Sequence, residues 1–208
     1  MAISVVLVDD HTMLRQGLRR ALEAEGIEVI GEAADGEEGV RVALATRPDV
    51  VLMDVSMPKL DGIDATRRLL AAKSEMRVLM LTMHVDRDVF DNALKVGAVG
   101  YVTKDSSVSE VVEAIRLAAN GDRPMSPRLA EALLNEALRD TDGIISTREE
   151  EVLQLVADGL GTNEIAERLF ISHRTVKNHL ASIYEKLDAR DRTQAVLTAV
   201  KMGIVKLT

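Results

Sequence analysis

The chain has 208 residues, room for one large or two small domains, and at 47% hydrophobic it can bury a sizeable core. Aromatics make up only 2%, so that core must be aliphatic, and the absence of Cys excludes a disulfide framework and thiolate metal sites. A net charge of −8 by itself argues against nucleic acid as a partner, but the charge is uneven: residues 1–125 carry 15 Lys/Arg against 21 Asp/Glu, whereas residues 146–208 carry 9 of each.

No apolar run nears the roughly 20 residues of a membrane span, and Asp9-Asp10 comes too early for a signal peptide. A cytoplasmic protein without membrane contact is expected. Ile3 to Val8 reads as a buried strand closed by Asp9-Asp10. Thr12 is a candidate cap for a helix through about Ala24, with Leu14, Leu18 and Leu22 on one face. Ile27 to Ile30 is a second strand, and Asp35-Gly36 opens a helix to about Ala45. Residues 49–54 form a third strand, apolar on both faces until it ends on Asp54; Pro58 then stops it. Asp61-Gly62 turns into a helix to about Ala72. Arg77 to Leu81 is a strand that ends on Thr82, followed by a helix from about Asp86 to Val96. Val99 to Val102 is a short fifth strand with Lys104 just beyond, and Ser107 caps a helix that Asn120-Gly121 terminates. Strands alternating with helices call for a parallel, doubly wound α/β sheet.

Ser126-Pro127 signals a linker helix to about Leu138, and Arg139 to Gly143 a polar joint. The tail carries helix signals alone. Thr147 to Glu150 fits a capping box with Thr147 at the N-cap. Thr162 opens a short helix, Ser172 caps a third to about Leu187, and Arg192-Thr193 opens a fourth. The domains expected are 1–122, a linker 123–143 and 144–208.

In open α/β sheets, ligands sit at the carboxyl ends of the strands. That edge collects Asp9, Asp10, Asp54, Thr82 and Lys104. For any one of them, helix capping is an equal explanation, but not for all five together. Crowded carboxylates resist ionisation unless a cation relieves them, and Mg2+ suits such a set. The chemistry that fits is phosphoryl transfer to Asp54, with Asp9 and Asp10 holding Mg2+, Lys104 meeting the acyl phosphate and Thr82 offering a hydroxyl.

In the tail, two helices, a turn and a third amphipathic helix read as helix-turn-helix. Val176, Leu180, Ile183 and Leu187 share one face of the third helix. Arg174, Asn178, Ala181, Ser182 and Glu185 lie opposite, with Lys177 on the flank. Such a face suits a major groove, with Ser172 and Thr175 on phosphates. It is equally what a solvated outer face looks like.

The set Asp9-Asp10, Asp54 to Pro58, Thr82 and Tyr101 to Lys104 resembles the receiver domain of bacterial two-component response regulators. That resemblance implies a flavodoxin-like sheet in the order 2-1-3-4-5 and a phosphoryl group received from a sensor histidine kinase or a small phosphodonor. It further implies that the backbone carbonyl of Ser56 completes the Mg2+ shell and that Thr82 and Tyr101 form a switch pair. Asp105 stands where the family often has a proline with a cis bond, and a non-proline cis bond costs about 2.5–4 kcal/mol, so whether the Lys104–Asp105 bond is cis stays open, and with it the placement of Lys104. Ser146 to Glu149, Asn163 to Ala166, Thr175 to His179, Lys186-Leu187 and Arg192 to Val196 resemble the LuxR-type DNA-binding domain. Together the two halves look like a NarL/FixJ-type response regulator. This resemblance implies double-stranded DNA as a partner, contacted through Thr162, Asn163, Ser172, Arg174, Thr175, Lys177, Asn178 and Ala181. It also implies a homodimer when active, formed through the last helix with Val196 and Val200, on an inverted repeat. Such a protein is not an enzyme beyond its own phosphorylation and slow dephosphorylation. An aspartyl-phosphate phosphatase is disfavoured because Ser56 stands where a second, acid/base Asp belongs. A tail that binds protein instead of DNA is the other rival.

Overall fold

The computed structural model describes residues 2–83, 87–126, 129–131, 144–169 and 171–206. They fall into two compact units, the first ending at Glu131. The first unit holds five parallel strands: β1 (Ser4–Val8), β2 (Glu28–Ala33), β3 (Val50–Asp54), β4 (Val78–Thr82) and β5 (Gly100–Thr103), in the order β2-β1-β3-β4-β5. Five helices link and follow them: α1 (Thr12–Ala24), α2 (Gly36–Thr46), α3 (Gly62–Ala72), α4 (Arg87–Lys95) and α5 (Val108–Asn120). This is the flavodoxin-like doubly wound sheet expected.

Side chains of successive strand residues leave opposite faces of the sheet. Val5 and Leu7, Val50 and Leu52, Leu79 and Leu81, and Val102 pack with Leu22 of α1 and with Val111, Val112 and Ile115 of α5. On the other face Thr66 of α3 reaches Met80, and Phe90 of α4 meets the Tyr101 ring edge-on at 5.5 Å. β3 is buried along its whole length, as its unbroken apolar run requires.

Strand and helix limits shift by one to three residues from expectation, most of all in β2, which runs on to Ala33. Two caps differ outright. Thr12 is the first helical residue of α1, and the N-cap is His11, whose side chain makes no capping bond. Ser107 caps α5 as read, and Asp35 and Asp61, read only as a helix opening and a turn, cap α2 and α3; each accepts from the backbone N–H three residues on.

Close approaches fix the loops around the strand ends. A Cβ at Gly62 would strike the Asp54 carbonyl oxygen, and one at Gly36 the Leu60 carbonyl oxygen. Lys59, in left-handed backbone at φ 64°, bonds the Asp35 carboxylate at 2.5 Å. The loop after β3 is thereby tied to the start of α2.

Past α5 the chain returns along the free edge of the sheet. The Tyr101 N–H donates to the Pro124 carbonyl at 3.1 Å, and Tyr101 pairs with Met125 in a parallel bridge. Ser126 then accepts from the Leu129 N–H at 3.3 Å, and Leu129 is fully buried. The rest of the expected linker helix and the joint at 139–143 lie outside the described residues.

The second unit has α6 (Thr147–Ala157), α7 (Thr162–Leu169), α8 (His173–Lys186) and α9 (Arg192–Lys201). The capping box sits one residue earlier than read: Ser146 is the N-cap and Glu149 its reciprocal partner. Ser146/Glu149 and Thr147/Glu150 both satisfy the motif, but Glu149 alone can also reach α8. Val152, Leu153, Val156, Ile165, Val176, Leu180, Ile183, Ala195 and Ala199 form the core.

Replacing Gly100 tests the docked edge. A Cβ there would lie 2.5 Å from the Pro124 carbonyl oxygen and 2.9 Å from Leu79 Cδ1. Gly100→Ala is expected to cost about 1–3 kcal/mol in urea unfolding, with faster hydrogen exchange at the Tyr101 amide.

Candidate functional site

β1 and β3 run in register with Val8 beside Met53, so their next residues, Asp9 and Asp54, end side by side. Asp9 is 2% exposed and Asp54 1%. The Lys104 ammonium, just past β5, lies 2.7 Å from Asp54 Oδ2 and 2.7 Å from Asp9 Oδ2. One cation thus serves two buried carboxylates. No peptide bond among the described residues is cis, so Lys104 reaches the pair through a trans bond to Asp105. The Lys104 N–H also donates to the Thr82 carbonyl at 2.6 Å, which ties the ends of β4 and β5 together.

Burial pushes the Asp54 carboxyl up to about 6, and Asp9 adds to the rise; Lys104 and the Ser56 N–H, 3.3 Å from Oδ1, oppose it. For Lys104, burial favours loss of its proton, but Asp54 and Asp9 outweigh that and hold it above the ordinary lysine value.

Asp10 is exposed beside them. The sequence reading missed His11. Its Nδ1 is 3.0 Å from Asp9 Oδ1 and 2.8 Å from Asp10 Oδ1, and its N–H donates to Asp9 Oδ1 at 2.7 Å. Its position directly after the acid pair was the available signal. Arg15, one turn into α1, donates to the Asp9 carbonyl at 2.5 Å and fixes this turn.

Asp9, Asp10, His11 and Asp54 each offer one ligand atom, all within 4.8 Å of one another. Asp9 Oδ2 is buried and takes no aligned hydrogen bond, only the ionic contact with Lys104. The donor set therefore fits a divalent cation. Ser56 is half-buried just beyond Asp54. Thr82 is buried at the end of β4, and Tyr101, 1% exposed, has its ring turned inward against Phe90.

In the second unit Ser172 caps α8, accepting from the Thr175 N–H at 3.1 Å. His173, Arg174, Lys177, Asn178, Ala181 and Glu185 are exposed, and Asn163 of α7 is too. Thr162 is half-buried. Thr175 is buried, its hydroxyl 2.9 Å from that of Ser172. His179 is in the core. Ser182, expected on the outer face, is half-buried and donates to Glu149 Oε1 at 2.6 Å. Glu149 is wholly buried and also takes Lys186 at 2.9 and 2.7 Å, so the start of α6 holds the second half of α8.

Other cations of this unit hold helix ends. Arg148 donates to the Leu169 carbonyl at 3.0 Å, and Arg192 to the carbonyls of Val156 at 3.1 Å and Leu160 at 2.5 Å. On α9, Val196 and Val200 are half-buried against the domain's own core, and Leu197 is the large apolar side chain that helix exposes.

The response regulator receiver domain family matches residues 5–116, and the luxR family of bacterial regulatory proteins matches residues 144–199. The transcriptional regulatory protein LiaR of Bacillus subtilis is 41% identical, over 98% of this chain and 99% of that protein. The transcriptional regulatory protein DegU of Brevibacillus brevis is 36% identical, over 99% of this chain and 96% of the relative. The crystal structure of the response regulator ChrA, from a heme-sensing two-component system, is 36% identical over 98% of both chains with a TM-score of 0.57. Among the described residues no helix is long and apolar enough to cross a membrane.

A carboxyl that binds its proton more tightly when folded favours folding below its unfolded value near 3.8, and that contribution is lost as pH climbs through about 6. In metal-free buffer at pH 7.5, Asp54→Asn should therefore be more stable than wild type, by on the order of 2–3 kcal/mol. The gap should close by pH 4. Urea melts across that range give the comparison.

Proposed function

The chain belongs to the two-component response regulators that join a receiver domain to a LuxR-type DNA-binding domain, and we propose that this DNA-binding transcriptional regulator is switched by phosphorylation of Asp54. The phosphoryl group comes from a phosphohistidine of a partner histidine kinase or from a small phosphodonor. An Asp54 carboxylate oxygen attacks phosphorus as the bond to the donor breaks, and the leaving group takes a proton.

The observation that carries this reading is the Lys104 ammonium placed 2.7 Å from both Asp54 and Asp9. It is fixed where negative charge would grow on an acyl phosphate, and it need not move far to meet it. Asp9, Asp10 and Asp54, with the Ser56 carbonyl, would hold Mg2+. Bound there, it would neutralise phosphoryl oxygens and favour the ionised, nucleophilic form of Asp54. Thr82, at the end of the neighbouring strand, supplies a hydroxyl to the new phosphoryl group, and the Tyr101 ring follows it. Ser56 offers no carboxyl to activate water, which leaves a long-lived acyl phosphate as the output, not turnover of a phosphoester.

The exposed row on α8 then reads DNA. Arg174 and Lys177 approach phosphate and guanine, Asn178 is suited to adenine, and Ala181 can add only an apolar contact such as a thymine methyl. Ser172 and Asn163 border the same face, with Thr162 half-buried nearby. Thr175 acts from beneath, by holding the Ser172 cap. Two copies on an inverted repeat complete the reading, their contact drawing on α9, where Leu197 stands exposed beside Val196 and Val200.

Acetyl phosphate with Mg2+ should add one phosphoryl group to the intact mass of the wild type and tighten its binding to DNA selected from a random pool. Asp54→Asn should gain neither. An unchanged wild-type mass, or a variant that responds like wild type, would overturn the assignment. Lys177→Ala should weaken binding and lower the slope of log affinity against log salt by about 1. An unaltered slope would point to a protein partner for the tail.

A further inference from the structure

His11 occupies the N-cap position of α1, but its side chain makes no capping bond. Its ring lies at the mouth of the carboxylate pocket instead, 62% exposed, with Nδ1 at 3.0 Å from Asp9 and 2.8 Å from Asp10. The same nitrogen is 3.4 Å from the Lys104 ammonium. Those neighbours make opposite demands. Carboxylates want an N–H from it, and an ammonium, which can only donate, wants its lone pair. One nitrogen cannot meet both.

A metal ion removes the conflict, because carboxylate oxygens and an imidazole lone pair can all point at one cation. The spacing suits this. Adjacent ligands around an octahedral ion with bonds of about 2.1 Å stand about 3 Å apart, and Nδ1 sits at that separation from one oxygen of each aspartate. The pocket is also short of positive charge, because Asp9 Oδ2 and Asp54 Oδ2, both buried, share the one Lys104 ammonium at 2.7 Å each.

Mg2+ is a hard ion that selects oxygen, whereas imidazole suits Ni2+, Zn2+ and other borderline dications. We propose that His11 gives this cation site a nitrogen ligand, so that the site binds borderline transition-metal dications more tightly than its carboxylates alone would, in competition with Mg2+. The inference rests on the reading that Asp9, Asp10 and Asp54 form a divalent-cation site. It adds a metal preference that the acid set by itself does not carry.

The test is calorimetric titration of the metal-stripped full-length protein with Ni2+ and, separately, with Mg2+. Only the Ni2+ that excess Mg2+ displaces is counted, which excludes binding at the other histidines. His11→Gln and His11→Ala should both bind this Ni2+ at least tenfold more weakly than wild type, with Mg2+ affinity within twofold of wild type. Ni2+ affinity equal in all three proteins would overturn the role of His11 while leaving the Mg2+ site intact. Loss of Mg2+ affinity in both variants would make His11 a general support of the turn and would also overturn the preference. If wild type binds neither ion, the cation site itself is lost, and that outcome is distinct from the other two.

Discussion

Two carboxylates that solvent barely reaches share one ammonium, and the first unit is arranged around that shortage of positive charge. Asp9 and Asp54 are placed by strand register, and Lys104 is delivered by the end of β5. Burial makes the Asp54 carboxyl resist ionisation. With a single ammonium between them and Asp10 alongside, the pocket remains net negative. Burial is the main cause of the raised Asp54 value, and the Asp9 charge beside it adds to the rise. A dication is the simplest remedy, and the proposed phosphoryl group, with about −1.5 to −2 charge of its own, would make the remedy more necessary. A site made stable to the resting state alone would have paired its acids one to one.

The scaffold limits how far this pocket can relax. Gly62 admits the Asp54 carbonyl where any Cβ would collide, and Lys59 ties the same loop to Asp35 at the start of α2. Arg15 holds the turn after β1 through the Asp9 carbonyl. These contacts keep the carboxylates crowded although crowding is unfavourable. That is the usual relation between a strained site and the well-packed fold around it.

β1, β3 and β4 were legible because each is a short apolar run that stops at a carboxylate or hydroxyl, and the sheet order followed from the resemblance those stops carry. Local frames were less legible. Ser146 and Thr147 each stand three residues before a glutamate, so the motif alone fits both; the choice falls to Glu149 because Ser182 and Lys186, more than 30 residues away, complete its bonds. A helical wheel put Ser182 outside, since it counts polarity and cannot register a buried acid on a neighbouring helix. His11 is not marked by the acid pattern, because a run of carboxylates at strand ends carries no signal for an imidazole beside it. The balanced charge of the tail misled for a related reason. Arg148, Arg192 and Lys186 serve helix ends and Glu149 within the domain, so net charge says little about the face that carries Arg174 and Lys177.

A route from the pocket toward the end of the first unit runs through β5. Lys104 is hydrogen-bonded by its backbone to Thr82, three residues before it Tyr101 packs its ring on Phe90 of α4, and the Tyr101 N–H holds Pro124. The ring and the amide of one residue thus face two different elements, a helix beside the site and the segment that leaves the unit. Spatial continuity is not coupling; coupling requires an element with two arrangements that both ends bias. Tyr101 has connections at both ends: its ring meets Phe90 of α4, and its amide holds the Pro124 carbonyl. Gly100 is what allows that bond to form, because a side chain there would fill the space the Pro124 carbonyl occupies. The smallest residue in β5 therefore sets how closely the exit segment can follow the strand that delivers Lys104 to Asp54.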